Sequence, residues 1–214
     1  KTLIKDWVGF GFNRLSIIDL SKIANQPMID ESGQYIIVFN GELYNFKEIR
    51  NQLIKKGYDF FSNSDTEVVM KSYVEWGKSC INHFVGMFAF CIYDISKEKV
   101  FVARDQLGIK PLYFVCVDNN YFFSSEIKSF AHIKKLELNE SVLSEHFKFG
   151  FVAGEKTLFK DITRIDPGST IEINKDGRIK KEKYYKVSKN LINYSNQIPD
   201  LELIENKLYE SFHQ

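Results

Sequence analysis

Short apolar runs bounded by turn residues recur through most of this 214-residue chain, and they limit its fold more than any other feature. Three pairs of such runs are each joined by a short polar turn, the pattern of an antiparallel hairpin. The pairs are 88–95 with 100–104, 112–117 with 121–125, and 170–173 with 178–181. The aromatic share of 15% also favours strands, since large rings pack well on sheet surfaces. The chain is therefore predicted to be rich in antiparallel sheet.

A separate apolar run at 35–39 ends at Asn40-Gly41. Asn-Gly is a common turn dipeptide, so the run predicts a buried strand that enters a tight turn. Asn45 then stands three residues before Glu48 and is predicted to cap the helix that follows.

Two more helices are predicted from their start and stop signals. One begins at Ser64 or Asp65 and runs to Gly77, and the other spans about 139–149 and stops at Gly150. Together with the hairpins, these elements indicate an α+β fold in which two helices follow the first long strand.

The charge of the chain argues against two classes of partner. Its 29 basic residues are balanced by 28 acidic ones, so the net charge is +1 and no strong field would attract nucleic acid or anionic lipid. The densest basic patch, at 180–183, lies beside an Asp-Gly turn and is better explained as a solvated hairpin edge. No apolar run approaches the roughly 18 residues of a membrane helix. We therefore expect neither nucleic acid nor a membrane as a partner.

Cys80, Cys91 and Cys116 are odd in number and widely spaced. No secretory segment accompanies them, which argues for reduced thiols in a cytoplasmic protein. Cys91 and Cys116 lie within apolar runs and are predicted to be core residues.

The composition changes after residue 186. Residues 187–199 are polar and rich in asparagine, as in a linker. Beyond them, apolar residues spaced three and four apart over 200–212 predict a helix. We therefore expect one domain over 1–186, a linker, and over 200–214 the first helix of another domain.

Four short segments stand out as candidate sites, and each also has a structural explanation. They are RLSIID at 14–19, NGELYN at 40–45, SDTE at 64–67 and ARDQLGIKPLY at 103–113. Arg14 can pair with Asp19, Asn-Gly can form a turn, and Asp65 can cap a helix. A structural Arg-Asp pair on a strand-turn-strand is sufficient to explain the fourth segment.

The second segment has the chemistry of a site. Asn40, Gly41 and Glu42 bring a side-chain amide, a flexible backbone N–H and a carboxylate together at the predicted strand end. The first two can donate hydrogen bonds to a developing oxyanion, and the carboxylate can accept one from an ammonium group.

From Gly11 to about Tyr185 the chain resembles the class II glutamine amidotransferase domain of the bacterial asparagine synthetase family. The resemblance rests on the order of seven motifs. They are RLSIID at 14–19, QPM at 26–28, NGELYN at 40–45, SDTE at 64–67, GMFAF at 86–90, ARDQLGIKPLY at 103–113 and SSEIK at 124–128. The resemblance implies an N-terminal-nucleophile-hydrolase-like fold, a four-layer αββα sandwich of antiparallel sheets, here without its first segment.

The resemblance also implies a glutamine site. Arg14 would pair with the α-carboxylate of glutamine, and Glu42 and Asp65 would hold its α-ammonium group. Asn40, through its side chain, and Gly41, through its N–H, would form the oxyanion hole. The residues assigned to glutamine binding are Arg14, Leu15, Ser16, Ile17, Ile18, Asn40, Gly41, Glu42 and Asp65.

In that family an N-terminal cysteine attacks the amide and its own α-amino group serves as the base. No cysteine precedes Arg14 in this sequence, and the first is Cys80. We therefore expect the chain by itself to lack glutaminase activity. A glycine-serine phosphate loop is also absent, so no cofactor and no metal is expected here. The resemblance assigns ATP and Mg to a synthetase domain in cis and implies a homodimer of the full-length protein.

Three functions stay open from the sequence. The first is glutamine hydrolysis, with the ammonia passed to an adenylated carboxylate, by default that of aspartate and alternatively that of a sugar acid. The second is a relative that no longer uses glutamine, as in β-lactam synthetase, and the third is a non-catalytic docking module. The retained Arg14, Asn40, Gly41, Glu42 and Asp65 favour the first, because a disused pocket has no physical need of that set.

Overall fold

The computed structural model describes residues 1–13, 21, 23–186 and 200–212. Within these ranges a six-stranded and a three-stranded sheet stack on each other, and every strand pairing is antiparallel. Four α-helices and three 3₁₀ helices complete the described part. The predicted α+β class is confirmed.

The strands are β1 (Thr2–Lys5), β2 (Val8–Gly11), β3 (Met28–Ile29), β4 (Tyr35–Leu43), β5 (Gly86–Asp94), β6 (Lys99–Arg104), β7 (Tyr113–Val117), β8 (Asn120–Ser124), β9 (Thr163–Arg164), β10 (Ser169–Asn174) and β11 (Ile179–Lys183). The α-helices are α1 (Phe46–Lys55), α2 (Asp65–Trp76), α3 (Leu143–Phe149) and α4 (Leu201–Phe212). The 3₁₀ helices are Gly77–His83, Ile127–His132 and Glu140–Val142. The large sheet has the order β11-β10-β6-β5-β4-β3, the small sheet has the order β8-β7-β9, and β1 pairs only with β2.

The alternation of side chains along β4 separates two cores. Ile37, Phe39 and Leu43 pack in one cluster with the buried residues of α1 and α2. Ile36 and Val38 belong to another cluster, which contains residues of the small sheet. The large sheet therefore lies between a helical layer and the small sheet.

The outer face of the small sheet is covered by a 3₁₀ helix. Val115 of β7 and Phe122 of β8 pack there against Ile127 and Phe130. The order of the layers is thus helices, large sheet, small sheet and 3₁₀ helix. This is the four-layer αββα arrangement, with a shorter outermost layer.

The hairpin β1–β2 was not predicted from the sequence. Val8 and Phe10 are buried in the core between the two sheets. Trp7 packs edge-on against Tyr93 at 5.6 Å between ring centroids, and the Tyr93 hydroxyl donates to Asp6 at 3.2 Å. The turn uses Asp6 at a positive φ of 52°, without the glycine that usually signals such a turn.

The three predicted hairpins are confirmed as β5–β6, β7–β8 and β10–β11. In β7–β8 the turn residues Asp118 and Asn119 have φ values of 49° and 60°. Two successive residues at positive φ match the twist of a two-residue hairpin, and Asp and Asn tolerate that conformation.

The predicted turn at Asn40-Gly41 is wrong, because β4 continues through both residues to Leu43. Gly41 pairs with Phe88 of β5 in regular register. A Cβ atom at Gly41 would lie 2.3 Å from the backbone oxygen of Met87. Glycine is therefore needed here for close strand approach and not for a turn.

Two helix caps also differ from the prediction. The Asn45 side chain does not cap α1; its Nδ2 donates to the His83 oxygen at 2.9 Å, and its Oδ1 accepts from the Val85 N–H at 3.0 Å. Ser64 caps α2 by accepting from the Thr66 N–H at 3.1 Å. Asp65 is therefore the first helical residue of α2, and its carboxylate is available for another contact.

The predicted helix beyond residue 200 is present as α4, and its apolar residues are exposed. The predicted linker at 187–199 lies outside the described residues, so the proposed division into domains stays a prediction.

Cys116 is exposed on β7, against the prediction of a core position. No helix in the described part of the chain is long and apolar enough to span a bilayer.

Candidate functional site

Of the nine residues assigned to glutamine binding, the structure describes Asn40, Gly41, Glu42 and Asp65. The other five, Arg14, Leu15, Ser16, Ile17 and Ile18, lie outside the described residues. The site is therefore built from the end of β4 and the start of α2.

In the described part of the chain, one edge of β4 beyond Ile37 carries two side chains in place of a neighbouring strand. The Phe39 N–H donates to Gln26 Oε1 at 2.6 Å, and Gln26 Nε2 donates back to the Phe39 oxygen at 3.1 Å. Four residues further on, the Leu43 N–H donates to Asp65 Oδ2 at 3.2 Å. β3 pairs with the same edge opposite Ile36 and Ile37.

Gly41 lies midway between these two fixed positions. In an antiparallel strand alternate residues direct their backbone N–H and C=O groups to the same side, so Gly41 faces the edge that Phe39 and Leu43 face. Its partner on β5 agrees with this, because the Phe88 N–H donates to Asp105 Oδ2 at 3.2 Å and its oxygen accepts from the Asp105 N–H at 2.8 Å. Both backbone groups of Phe88 therefore point toward β6 and away from β4. Among the described residues no group accepts from the Gly41 N–H, which is left as a donor at this edge.

Asn40 provides a second donor beside Gly41. It is half-buried, and its position on β4 places it on the face that Ile36 and Val38 present to the small sheet. Asn40 Nδ2 donates to Ser125 Oγ at 3.0 Å, across the space between β4 and the end of β8. A primary amide carries two N–H donors, and within the described residues the second has no acceptor and can serve a ligand.

Two carboxylates complete the cluster. Asp65 is buried, and burial raises the pKa of its carboxyl group above the usual value. The N–H groups of Leu43 and Thr66 lower this pKa, and the nearby charge of Glu42 raises it. Glu42 is half-buried and forms no hydrogen bond or ion pair through its carboxylate within the described ranges. A bound cation would relieve the repulsion between these two groups.

The arrangement has the chemistry of a site for an amino acid that carries an amide or ester side chain. Two N–H donors, from Gly41 and Asn40, can bind a carbonyl oxygen and stabilise it as it becomes an oxyanion. The carboxylates of Glu42 and Asp65 can accept hydrogen bonds from an ammonium group.

Gln26 is part of this site, and sequence reasoning gave it no role. Its side chain is buried and bonds to both backbone groups of Phe39. It also donates to Thr66 Oγ1 at 3.2 Å. One side chain therefore connects the residue before Asn40 to the residue after Asp65. The QPM motif contained this signal, but a polar residue before proline is usually found in a turn.

The fourth candidate segment, 103–113, is structural. Arg104 donates to the backbone oxygens of Gly108 at 2.7 Å and Lys110 at 2.8 Å, and also to that of Ile165. Asp105 accepts four backbone N–H groups. Their donors are Phe88 at 3.2 Å, Leu107 at 3.1 Å, Ile109 at 2.9 Å and Lys110 at 3.0 Å. The predicted direct Arg-Asp pair is replaced by bonds from each side chain to the backbone.

The cysteines do not supply an activated nucleophile to this cluster. Burial raises the pKa of the Cys80 and Cys91 thiols, which disfavours the reactive thiolate. Cys116 is exposed on β7 of the small sheet, whereas Asn40 and Gly41 lie on β4 of the large sheet. In the part of the chain that the structure describes, no group of acidic, histidine and cysteine side chains could hold a metal ion.

Comparison with known proteins identifies the family to which this fold and site belong. Residues 1–185 match the family described as "Glutamine amidotransferase domain". The chain belongs to this family. The resemblance predicted from the seven motifs is thereby confirmed.

Curated relatives of this amidotransferase domain are named as synthetases. The chain is 39% identical over 182 residues to "Asparagine synthetase [glutamine-hydrolyzing] 1" of Bacillus subtilis, covering 85% of this chain and 29% of the relative. It is 33% identical over 196 residues to "Putative asparagine synthetase [glutamine-hydrolyzing] 2" of Methanocaldococcus jannaschii, covering 83% and 38%. The chain thus spans less than two fifths of the length of either relative.

Among solved structures, the amidotransferase domain is similar to glutamine phosphoribosylpyrophosphate amidotransferase from B. subtilis. The TM-score is 0.55 at 22% identity, and the match covers 76% of this chain and 32% of that one. This similarity concerns the fold alone, and it confirms the predicted N-terminal-nucleophile-hydrolase-like architecture.

Proposed function

We propose that this domain binds L-glutamine at the open edge of β4 and takes part in releasing its amide nitrogen as ammonia. The observation that supports the proposal is the position of the Gly41 N–H. It lies between two backbone groups, at Phe39 and Leu43, that the side chains of Gln26 and Asp65 already satisfy. A donor that has no acceptor within the described ranges, beside the amide of Asn40, suits an oxyanion hole.

Each end of glutamine has a matching group. The amide oxygen accepts from the Gly41 N–H and from the second Nδ2 proton of Asn40. The α-ammonium group lies against the carboxylates of Glu42 and Asp65, and its charge offsets their mutual repulsion. For the α-carboxylate, the family resemblance assigns Arg14 as the partner and residues 15–18 to the pocket lining; these five residues lie outside the described ranges.

The reaction needs a nucleophile from outside this chain. An N-terminal cysteine would attack the amide carbon, and the developing charge on the oxygen would be held by Asn40 and Gly41. The C–N bond would break with release of ammonia, and water would hydrolyse the thioester to glutamate. The 214-residue chain alone is therefore expected to release no glutamate.

The names of the relatives support a proposal for the whole protein. We infer that the ammonia is transferred to an adenylated carboxylate, by default that of aspartate, in an asparagine synthetase-like reaction. ATP and Mg would be used by a synthetase domain in cis. The full-length protein would be a cytoplasmic homodimer.

The test separates use of glutamine from use of ammonia in the full-length protein. Arg14→Ala should abolish glutamine-dependent synthesis of the product amide and leave synthesis from ammonium salts largely intact. Arg178→Ala removes an exposed arginine that pairs with Asp176, and it is the matched control with both activities retained. Equal loss of both activities in Arg14→Ala would contradict the proposed pocket.

A further inference from the structure

We propose that Ser125 is a positioning residue that holds the side-chain amide of Asn40 in the orientation that an oxyanion donor requires. The inference deepens the proposed function and rests on it. The observation that supports this role is the hydrogen bond that Asn40 Nδ2 donates to Ser125 Oγ at 3.0 Å.

The bond connects the two sheets at the site. Asn40 belongs to β4 of the large sheet, and Ser125 directly follows β8 of the small sheet, 85 residues later. Both residues are half-buried, so water competes only partly for this bond. The packing of the two sheets thus determines where the Asn40 amide points.

A hydrogen-bond partner can hold an asparagine amide with its N–H₂ group toward the substrate. Rotation about its last torsion is broad and roughly two-fold, and it exchanges the N–H₂ group with the carbonyl oxygen. In one orientation the amide offers a donor to an oxyanion, and in the other it offers an acceptor, which repels the oxyanion. In the structure the Ser125 hydroxyl accepts one N–H of this amide. That bond holds the amide in the donor orientation, with its second N–H for the substrate.

The adjacent serine is engaged elsewhere, which makes the assignment specific. Ser124 Oγ bonds to the Glu126 oxygen at 3.0 Å, accepts from the Glu126 N–H at 3.0 Å and lies 2.6 Å from Ser129 Oγ. These bonds belong to the turn before the 3₁₀ helix at 127–132. Two neighbouring hydroxyls of the same motif therefore have different partners, and they form a natural matched pair.

The experiment measures ligand binding to the 214-residue chain by NMR titration. The two ligands are L-glutamine and L-norvaline, an amino acid of similar length whose side chain has no amide. Ser125→Ala should weaken glutamine binding about fivefold, the effect of one hydrogen bond of ordinary strength. Norvaline binding should not change, because norvaline presents no carbonyl oxygen to Asn40.

Two further variants make the test specific. Ser125→Thr keeps the hydroxyl and should restore glutamine affinity, whereas Ser124→Ala should leave the affinity for both ligands as in the wild type. The side-chain amide signals of Asn40 should shift in Ser125→Ala and not in Ser124→Ala. If the role of Ser125 were purely structural, Ser125→Ala would lower the affinity for both ligands equally.

Each outcome decides between the two proposals. The positioning role is wrong if the wild type binds glutamine and Ser125→Ala binds it equally well. It is also wrong if Ser125→Ala loses affinity for both ligands to the same extent. In either case the proposed glutamine site stands. If the wild type does not bind glutamine at all, the proposed function is wrong and the role of Ser125 falls with it.

Discussion

The segment at 103–113, which forms the loop between β6 and β7, and the open edge of β4 both carry polar side chains, but these side chains are engaged to opposite degrees. In the loop, Asp105 is 1% exposed and accepts four backbone N–H groups, and Arg104 donates to three backbone oxygens. At the edge of β4, Asn40 makes one side-chain hydrogen bond and Glu42 makes none within the described residues.

This difference in the number of hydrogen bonds already made shows which polar groups can still bind a ligand. A polar side chain whose bonds are all made to its own backbone stabilises the fold and has nothing left for a ligand. A polar group with bonds still unmade, held by neighbours that are themselves fixed, can bind a substrate without reorganisation. Substitutions in the loop should therefore change stability, and substitutions at the edge should change binding.

Asp105→Asn should produce the largest effect on stability. The new N–H₂ group would face backbone N–H donors that the carboxylate accepted, so buried donors lose their acceptor. We expect the free energy of unfolding to fall by about 3 kcal/mol. Urea denaturation followed by circular dichroism measures this value.

The control for this change is Asp59→Asn, since Asp59 is exposed. It should alter stability by less than about 0.5 kcal/mol. Where Asp105→Asn remains folded, its affinity for glutamine should equal that of the wild type. A stable Asp105→Asn protein that has lost glutamine binding would reverse the roles assigned to the two regions.

Gly41→Ala should have the next largest effect and should affect both properties. The added Cβ would lie 2.3 Å from the Met87 oxygen and 2.8 Å from Phe88 Cα, so β4 and β5 must separate. We expect a stability loss of about 2 kcal/mol, together with loss of glutamine binding because the Gly41 N–H moves. Thermal unfolding and a glutamine titration of the same sample measure the two effects.

Gly9→Ala is the matched control, because Gly9 also lies in a strand and a Cβ there meets no atom within 4 Å. It should leave glutamine binding unchanged. Normal glutamine affinity in Gly41→Ala would show that this backbone position is not part of the site.

Most of the fold could be predicted because its signals are local. Turn residues between apolar runs fixed three hairpins, and glycines ended the helices at Gly77 and Gly150. The β1–β2 hairpin escaped prediction because its strands are four residues long and its turn has no glycine. Its contacts are with residues distant in sequence, such as Tyr93, which packs against Trp7 and donates to Asp6.

The site was harder to predict, because its geometry depends on contacts between distant segments. Asn40-Gly41 has the sequence of a turn, yet pairing with β5 keeps it extended. Gln26 and Ser125 contact the site from positions 13 and 85 residues away in sequence. The residue types of the site were visible in the sequence, but the side chains that hold them in place were not.

We expect glutamine to bind at the open edge of β4 and not at the loop between β6 and β7, where Arg104 and Asp105 bond to the backbone. The most direct test is a glutamine titration of the ¹⁵N-labelled chain, observed at every backbone and side-chain amide. Binding at the edge should give saturable shifts at the Gly41 N–H and the Asn40 side-chain amide and should leave the N–H groups of Leu107 and Ile109 unchanged. Shifts at Leu107 and Ile109 with none at Asn40 and Gly41 would contradict it.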